Sequence, residues 1–315
     1  MKKLVFTLAT CCIMCACEQK TETNPFFTEF RTEYGAPDFD KIKIEHYEPA
    51  FLKGIEEQNA EIKAIVESRE TPGFENTIVA LDNSGRTLAR VKGVFYALTE
   101  ADTNDEMSAL SEKIAPVLSE HNDNIYLNQD LYKRVAAVWQ QEQEGKITLT
   151  TEQHRLLDRY YKAFIRSGAG LDAGKQNRLR EINKELSTLA ITFSNHVLNE
   201  NNAYRLVIDN EAELAGLPEW VKTGAAEEAK AVGKEGKWLF TLQNSSRLPL
   251  LQYADNRELR KDIYEAYINR GNNGDANDNK EILKKIISLR LEKANLLGFD
   301  SVSYTHLTLP TSDLV

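Results

Sequence analysis

Apolar residues recur at helical spacing through most of this chain, and this pattern constrains its fold more than any other feature. They follow one another at steps of three, four and seven residues, as expected for amphipathic helices with one buried face. A first helix is predicted to begin near Pro49. Its inward residues are Phe51, Ile55, Ile62 and Ile65. A second run follows the segment TPGFENT and consists of Ile78, Leu81, Leu88, Val91, Phe95 and Leu98.

Further helices are predicted in the middle of the chain. A third run from Met107 to Ile125 contains Pro116, which should kink or interrupt the helix. Leu131, Val135 and Val138 continue the pattern. A capping Thr150 or Thr151 begins the next helix, and Gly168 ends it. The segment from Gly174 to Asn202 predicts one long helix with Leu179, Ile182, Leu186, Leu189, Phe193 and Val197 inward.

The pattern changes once, near residue 204. The segments YRLVID and KWLFTLQ have the alternation of short strands, and they flank a short helix that ends at Gly233. Two helices follow, and the last has Asn279 as its cap and Gly298 at its end. No fixed-period repeat is present, which argues against a solenoid. The predicted fold is mainly α, with one small two-stranded β insert.

The N-terminus has the features of an export signal. Lys2 and Lys3 precede an apolar run from Leu4 to Met14, which is too short to span a membrane as a stable helix. The sequence Met14-Cys15-Ala16-Cys17 resembles a bacterial lipobox. We therefore predict a lipoprotein signal peptide at 1–16, lipidation of Cys17 and a polar tether at 17–24. The protein would be lipid-anchored in the cell envelope, facing the periplasm. The alternative is an ordinary cleaved signal whose cysteines are incidental.

Cysteine usage and charge exclude several functions. All four cysteines lie within the first 17 residues, so the body has no disulfide, no cysteine-type zinc site and no cysteine nucleophile. The formal net charge of −9 leaves no basic stripe for phosphates, so a nucleic-acid partner is not expected.

Two strings look like ligand-binding motifs but fail on spacing. In GAGLDAGK, residues 168–175, three residues separate the second and third glycines, and Gln176 stands where a phosphate loop needs Ser or Thr. The string is predicted to join two helices. In DANDNKEILKKI, residues 275–286, Lys280 occupies the glycine position of a calcium loop and Ile286 the position of its bidentate glutamate. This string is predicted to be a polar turn before the last helix.

The histidines do not form a recognisable metal motif. They are His46, His121, His154, His196 and His306. No two are four residues apart, and no His-Glu-x-x-His occurs. Each is predicted to be a hydrogen-bonded or partly exposed helix residue. Neither a Gly-x-Ser-x-Gly elbow nor a defensible Ser/His/Asp arrangement is present. The residues by themselves therefore indicate no catalytic or metal site.

Several stretches nevertheless resemble one enzyme family. They include NPFF, FDKIKIEHYEPAF, FENTIVALDNSGRTLARV, LREINKELSTLAITFSNHVL, LLQYADNRELRKDIYEAYINRG and DNKEILKKIISLRLEKANLLGF. Together they resemble the thimet oligopeptidase-like zinc metallopeptidases, within them the bacterial peptidyl-dipeptidase and oligopeptidase A group. The resemblance implies a helical body, a deep channel for short peptides, and a zinc ion. In that family the His-Glu-x-x-His lies in the second half of the chain, so no catalytic or metal residue is carried over to this sequence.

The resemblance also bears on the C-terminus. It covers about residues 24–300, so 25–300 is predicted to be the helical N-terminal region of a peptidase. This chain alone is expected to bind no zinc and to be inactive. Residues 301–315 depart from the family pattern and are predicted to be a non-native tail. If so, the last helix, apolar on more than one side, should have part of its surface bare. The alternative is a non-catalytic lipoprotein that binds peptides or a partner. The oligomeric state is not predicted.

Overall fold

The computed structural model describes residues 24–305. The first segment consists of short 3-10 turns, and Asn24 fixes it by accepting a hydrogen bond from the Phe26 amide and donating one to the His46 carbonyl. Phe26 is fully buried there. Helix α1 follows at Tyr47–Glu67, and a π-helical turn at Phe74–Val79 runs into the short α2 at Ala80–Asp82.

Most of the remaining chain is helical. The helices are α3 Arg86–Ala101, α4 Asp105–Tyr126, α5 Gln129–Gln143, α6 Thr151–Ser167 and α7 Ala173–Ala203. The sheet and its neighbours follow as β1 Leu206–Ile208, α8 Glu219–Ala231, β2 Trp238–Phe240, α9 Asn244–Tyr253 and α10 Arg257–Ile268. The last long helix is α11 Lys280–Leu296. Strand β1 pairs antiparallel with β2, with Val207 opposite Leu239. The predicted fold class is confirmed.

Three hydrophobic clusters hold these elements together. The first joins the N-terminal segment to α1, α3 and α4, and edge-to-face contacts of Phe95 with Tyr47 and Phe51 lie at its centre. The second joins the C-terminal half of α1 to α5 and α6. The third contains the sheet and helices α8, α9 and α10. Helix α7 contacts α4 and α11, so it connects the parts of the molecule.

Local sequence signals account for several helix ends. Thr150 and Gln153 form the reciprocal capping box that begins α6. Gly168 ends α6 with φ of 92°, in the left-handed region. A Cβ at this glycine would also lie 2.8 Å from Leu179 Cδ2, so the turn packs closely against α7. Both predicted ends of α6 are confirmed. Among the described residues, no helix is both long enough and apolar enough to cross a membrane.

Some sequence predictions were wrong. The predicted second helix is two segments, because the chain turns at Gly85, whose φ is 73° and whose amide donates to Glu61 Oε2 on α1. Of the kink or break expected at Pro116, the break is absent, because α4 continues through this residue to Tyr126. Helix α9, which contains Pro249, was not predicted. Of the predicted inward face of α7, only Leu179 and Ile182 are buried. The other four predicted residues are half-buried: Leu186, Leu189, Phe193 and Val197.

Candidate functional site

Helix α11 presents the candidate surface of this chain, and its position is fixed by contacts with α7. Ile286, Leu289 and Ala294 are its buried residues. Arg178 on α7 binds Glu292 with two nearly parallel hydrogen bonds of 2.6 and 2.9 Å. Because a forked guanidinium–carboxylate pair fixes distance and angle together, it sets the register of α11 along α7.

A polar network runs beneath α11 and reaches a third helix. Lys293 Nζ donates to Asn183 Oδ1 over 2.6 Å, and Asn183 Nδ2 donates to Asp123 Oδ1 over 2.8 Å. Burial lowers the pKa of Lys293 and raises the pKa of Asp123, since both charged forms lose contact with water. The network therefore joins α11, α7 and α4 through partly desolvated charges, which requires that the three helices keep their relative positions.

The opposite side of α11 is bare. Leu283, Ile287 and Leu291 are 47%, 57% and 45% exposed. They are four residues apart and form one stripe along the helix. Next to the stripe, α11 and Lys175 at the start of α7 border an open groove of about 460 Å³, which Leu291 and Leu296 help to line. The prediction that part of the last helix would be bare is confirmed.

The described histidines are engaged in local contacts. His46 Nδ1 accepts from the Lys43 amide, and His121 Nε2 lies 2.7 Å from Gln58 Oε1. His154 Nδ1 lies 2.8 Å from Glu142 Oε1, and His196 Nδ1 lies 3.0 Å from Asn279 Oδ1. The prediction of hydrogen-bonded histidines is confirmed for these four. Between residues 24 and 305, no three His, Cys, Asp or Glu side chains form a group that could hold a metal ion.

The two motif-like strings are structural turns, as predicted. In residues 168–175, Asp172 Oδ1 accepts from the Lys175 amide and begins α7. In residues 275–286, Asp275 Oδ1 accepts from the Asn277 amide. Hydrogen bonds from Lys280, by side chain and by backbone, lower the pKa of Asp278 to about 2. These carboxylates are thus occupied by local donors.

The predicted cap of α11 needs a correction. Asn279 makes no side-chain cap, and Asp278 Oδ1 accepts from the Lys280 amide instead. The Asn279 side chain is buried, where its Nδ2 donates to the Phe193 carbonyl over 3.0 Å and its Oδ1 faces His196. It therefore attaches the start of α11 to α7. The partners of Asn279 lie more than 80 residues away in the sequence, so no local sequence pattern could have predicted these contacts.

Two buried arginines were also missed. Arg134 on α5 donates to the carbonyls of Ser68 and Glu70 and so holds the loop before the π-helical turn. Arg247 stacks over the ring of Tyr267 at 3.5 Å, and Arg270 stacks on the same ring at 3.9 Å. Each arginine links its own helix to another segment of the fold. An arginine in an otherwise apolar helix face is the signal that could have identified Arg247.

Other predicted features lie outside the described residues. These are the signal peptide at 1–16, the lipidation site Cys17, nearly all of the tether at 17–24, His306 and most of the tail at 301–315. The described part of the tail ends in a 3-10 turn at Val302–Thr305.

Comparison with known proteins identifies the family. Residues 250–310, which include α10 and α11, match Peptidase family M3. The chain is 38% identical over 279 residues to dipeptidyl carboxypeptidase of Escherichia coli (strain K12), covering 89% of this chain and 41% of that protein. The chain belongs to Peptidase family M3. Members of this family use zinc.

Two other relatives cover this chain to a similar extent. Oligopeptidase A of Salmonella typhimurium (strain LT2) is 33% identical over 293 residues, which are 92% of this chain and 42% of that protein. The probable cytosolic oligopeptidase A of Arabidopsis thaliana is 28% identical over 302 residues, 94% and 42% of the two chains. This M3 chain thus spans about two-fifths of the length of the curated relatives it matches.

Proposed function

We propose that this chain serves as a helical wall of a zinc-dependent peptidase that hydrolyses short peptides, by dipeptide release or by internal cleavage. The observation that carries the proposal is the relation of about nine-tenths of the chain to dipeptidyl carboxypeptidase and oligopeptidase A. The described residues support a scaffold role, because hydrogen bonds between polar side chains join helix to helix. Arg178–Glu292 and Lys293–Asn183–Asp123 are the clearest cases.

We further propose that the peptidase works in the cell envelope, held there by lipid on Cys17. The support is the order of Lys2, Lys3, the apolar run and the lipobox-like residues 14–17. Peptides that reach the envelope would then be the substrates.

A chimera tests the peptidase activity. Residues 24–300 of this chain would replace the aligned 279 residues of the Escherichia coli dipeptidyl carboxypeptidase. We expect the purified chimera to cleave short blocked peptides and to lose this activity with a zinc chelator. The Escherichia coli protein is the positive control. A monodisperse, helical chimera without hydrolysis contradicts the proposal and favours the non-catalytic, peptide- or partner-binding alternative.

Metabolic labelling with palmitate tests the anchor. We expect label in the full chain and none in Cys17→Ala, because the thiol at this position accepts the lipid. Cys12→Ala is the matched control, since it removes a leader cysteine outside residues 14–17. Equal labelling of Cys17→Ala and the wild-type chain contradicts anchoring at Cys17.

A further inference from the structure

The loop between α10 and α11, residues 269–279, contains a chemically labile pair of residues. Asn273 is followed by Gly274, and this is the only Asn-Gly pair in the sequence. Both residues are exposed. A Cβ added at Gly274 would have no atom within 4 Å, so the rest of the fold does not cover this part of the loop. Water therefore has access to the Asn273–Gly274 peptide.

An asparagine side chain cyclises most readily when glycine follows it, because glycine has no Cβ to hinder its own amide nitrogen. The Gly274 nitrogen loses its proton and attacks Cγ of Asn273, so an N–Cγ bond forms. The Cγ–Nδ2 bond breaks, and the leaving group takes up a proton and departs as ammonia. Water then opens the cyclic imide at either carbonyl carbon and gives aspartate or isoaspartate. The net reaction hydrolyses the side-chain amide and needs no oxidant, reductant or cofactor.

Two carboxylates hold the reacting groups in the folded loop. Asn273 Nδ2 donates to Glu200 Oε2 over 2.9 Å, and the Gly274 amide donates to Asp278 Oδ2 over 2.8 Å. Asp278 is ionised near neutral pH, because hydrogen bonds from Lys280 lower its pKa to about 2. A bond to an ionised acceptor keeps the proton on the nitrogen that must lose it. The reaction should therefore proceed when the loop opens locally and both contacts are released.

Glu200, near the end of α7, attaches this loop to the rest of the fold. Its Oε2 also accepts from the Gly271 amide over 2.8 Å. Its Oε1 is buried and has no hydrogen-bond partner within residues 24–305. Deamidation replaces the donor Nδ2 of Asn273 by a carboxylate oxygen. Two negative groups would then face each other, and like charges in contact repel.

We propose that Asn273 is a spontaneous deamidation site of this protein, and that its conversion to aspartate or isoaspartate detaches residues 269–279 from α7. The loop leads directly into α11, so the modification loosens the connection at the start of that helix. The inference goes beyond the proposed peptidase function and does not depend on it.

Peptide mapping by mass spectrometry tests the site. The full chain is kept in mildly alkaline buffer and digested at intervals. We expect aspartate and isoaspartate to accumulate at Asn273 before any other asparagine. Gly274→Ala should suppress both products, because the added methyl group hinders the attacking nitrogen. Gly233→Ala is the matched control, since Gly233 has a φ of 74° against 72° for Gly274 and also has no atom within 4 Å of an added Cβ.

Two outcomes of the mapping overturn the site. One is the absence of conversion at Asn273. The other is equal conversion at Asn273 in Gly274→Ala and in the wild-type chain.

Aspartate variants test the consequence of the modification. Asn273→Asp reproduces one product, and it should lower Tm and speed amide exchange in residues 269–279. Asn272→Asp is the matched control, because it adds the same charge at the neighbouring exposed residue without facing Glu200. Glu200→Gln removes the facing charge and supplies an amide donor, so Asn273→Asp should be tolerated in that background.

These variants can also contradict the proposal. Equal Tm and exchange in Asn273→Asp and Asn272→Asp overturn the detachment of the loop. An equal loss from Asn273→Asp with and without Glu200→Gln overturns the role of Glu200. None of these readouts depends on peptide hydrolysis, so they can fail separately from the proposed function.

Discussion

At the scale of single residues, the close contact between helices α1 and α3 requires a glycine at position 54. Gly54 lies where α1 approaches α3, and a Cβ at this position would be 2.8 Å from the backbone N and Cα atoms of Leu88. Backbone atoms cannot rotate away as a side chain can. Glycine at this position therefore allows the two helices to share the first hydrophobic cluster.

Gly54→Ala should destabilise the protein, by about 1–3 kcal/mol, because α1 and α3 must separate to admit the methyl group. Gly93→Ala is the matched control, since Gly93 also lies within a helix but has no atom within 4 Å of its added Cβ. This control should be stabilised by up to about 1 kcal/mol through helix propensity. Urea unfolding measures both changes. A loss of equal size in both variants would show that helix packing at Gly54 is not the cause.

At the scale of elements, the network beneath α11 joins three helices with groups that are costly to bury. Asp123 and Lys293 are opposite in charge, yet Asn183 lies between them. Burial is the largest influence on the pKa of each, so the attraction between them does not fully compensate for lost hydration. The arrangement determines which surfaces of α4, α7 and α11 meet.

Replacing Asp123 with Asn should reveal this cost through its pH dependence. The raised pKa of Asp123 means that the native state favours the neutral carboxyl. The free energy of unfolding of the wild-type chain therefore falls as pH rises from below the pKa of Asp123 in the unfolded state through its pKa in the folded state. Asp123→Asn keeps an acceptor for Asn183 and removes this loss. We expect the variant to gain stability relative to the wild-type chain between pH 4 and pH 7. Urea titrations at both pH values measure the difference, and a relative loss at pH 7 would contradict it.

The sequence predicts the elements well and the contacts between them poorly. The capping box at Thr150 and the stop at Gly168 are local, and both were predicted correctly. The break at Gly85 was missed because Leu81 and Leu88, on either side of it, keep helical spacing. Asn279 was assigned to the wrong role because its partners, Phe193 and His196, lie on another helix. For the candidate surface, two-sided apolarity in α11 predicted the bare stripe, whereas Lys293–Asn183–Asp123 could not be found from spacing.

At the scale of the whole molecule, the hydrophobic interior is divided. The third cluster takes its buried residues from Ile208 to Ile263, and the first takes its own from Phe26 to Ile114. No buried residue belongs to both. Regions with separate cores can open independently, and hydrogen exchange detects such opening.

Leu250→Ala should therefore increase amide exchange in residues 206–268 while leaving α1 and α3 unchanged. Leu250 is fully buried in the third cluster, and its truncation should cost that region about 2–5 kcal/mol. Phe95→Ala is the reciprocal control, because Phe95 is fully buried in the first cluster. Exchange measured by mass spectrometry gives both patterns. Uniform acceleration along the chain in either variant would indicate one cooperative unit.

The positions of the tryptophans have a spectroscopic consequence. Trp139 stacks on Tyr161 at 4.4 Å in the second cluster, and Trp238 packs against the third. Trp220 is 62% exposed on α8, and the chain has no other tryptophan. The first cluster thus contains no indole group. Fluorescence excited at the indole band will follow the second and third clusters, whereas loss of the first will appear in circular dichroism without a matching change in emission.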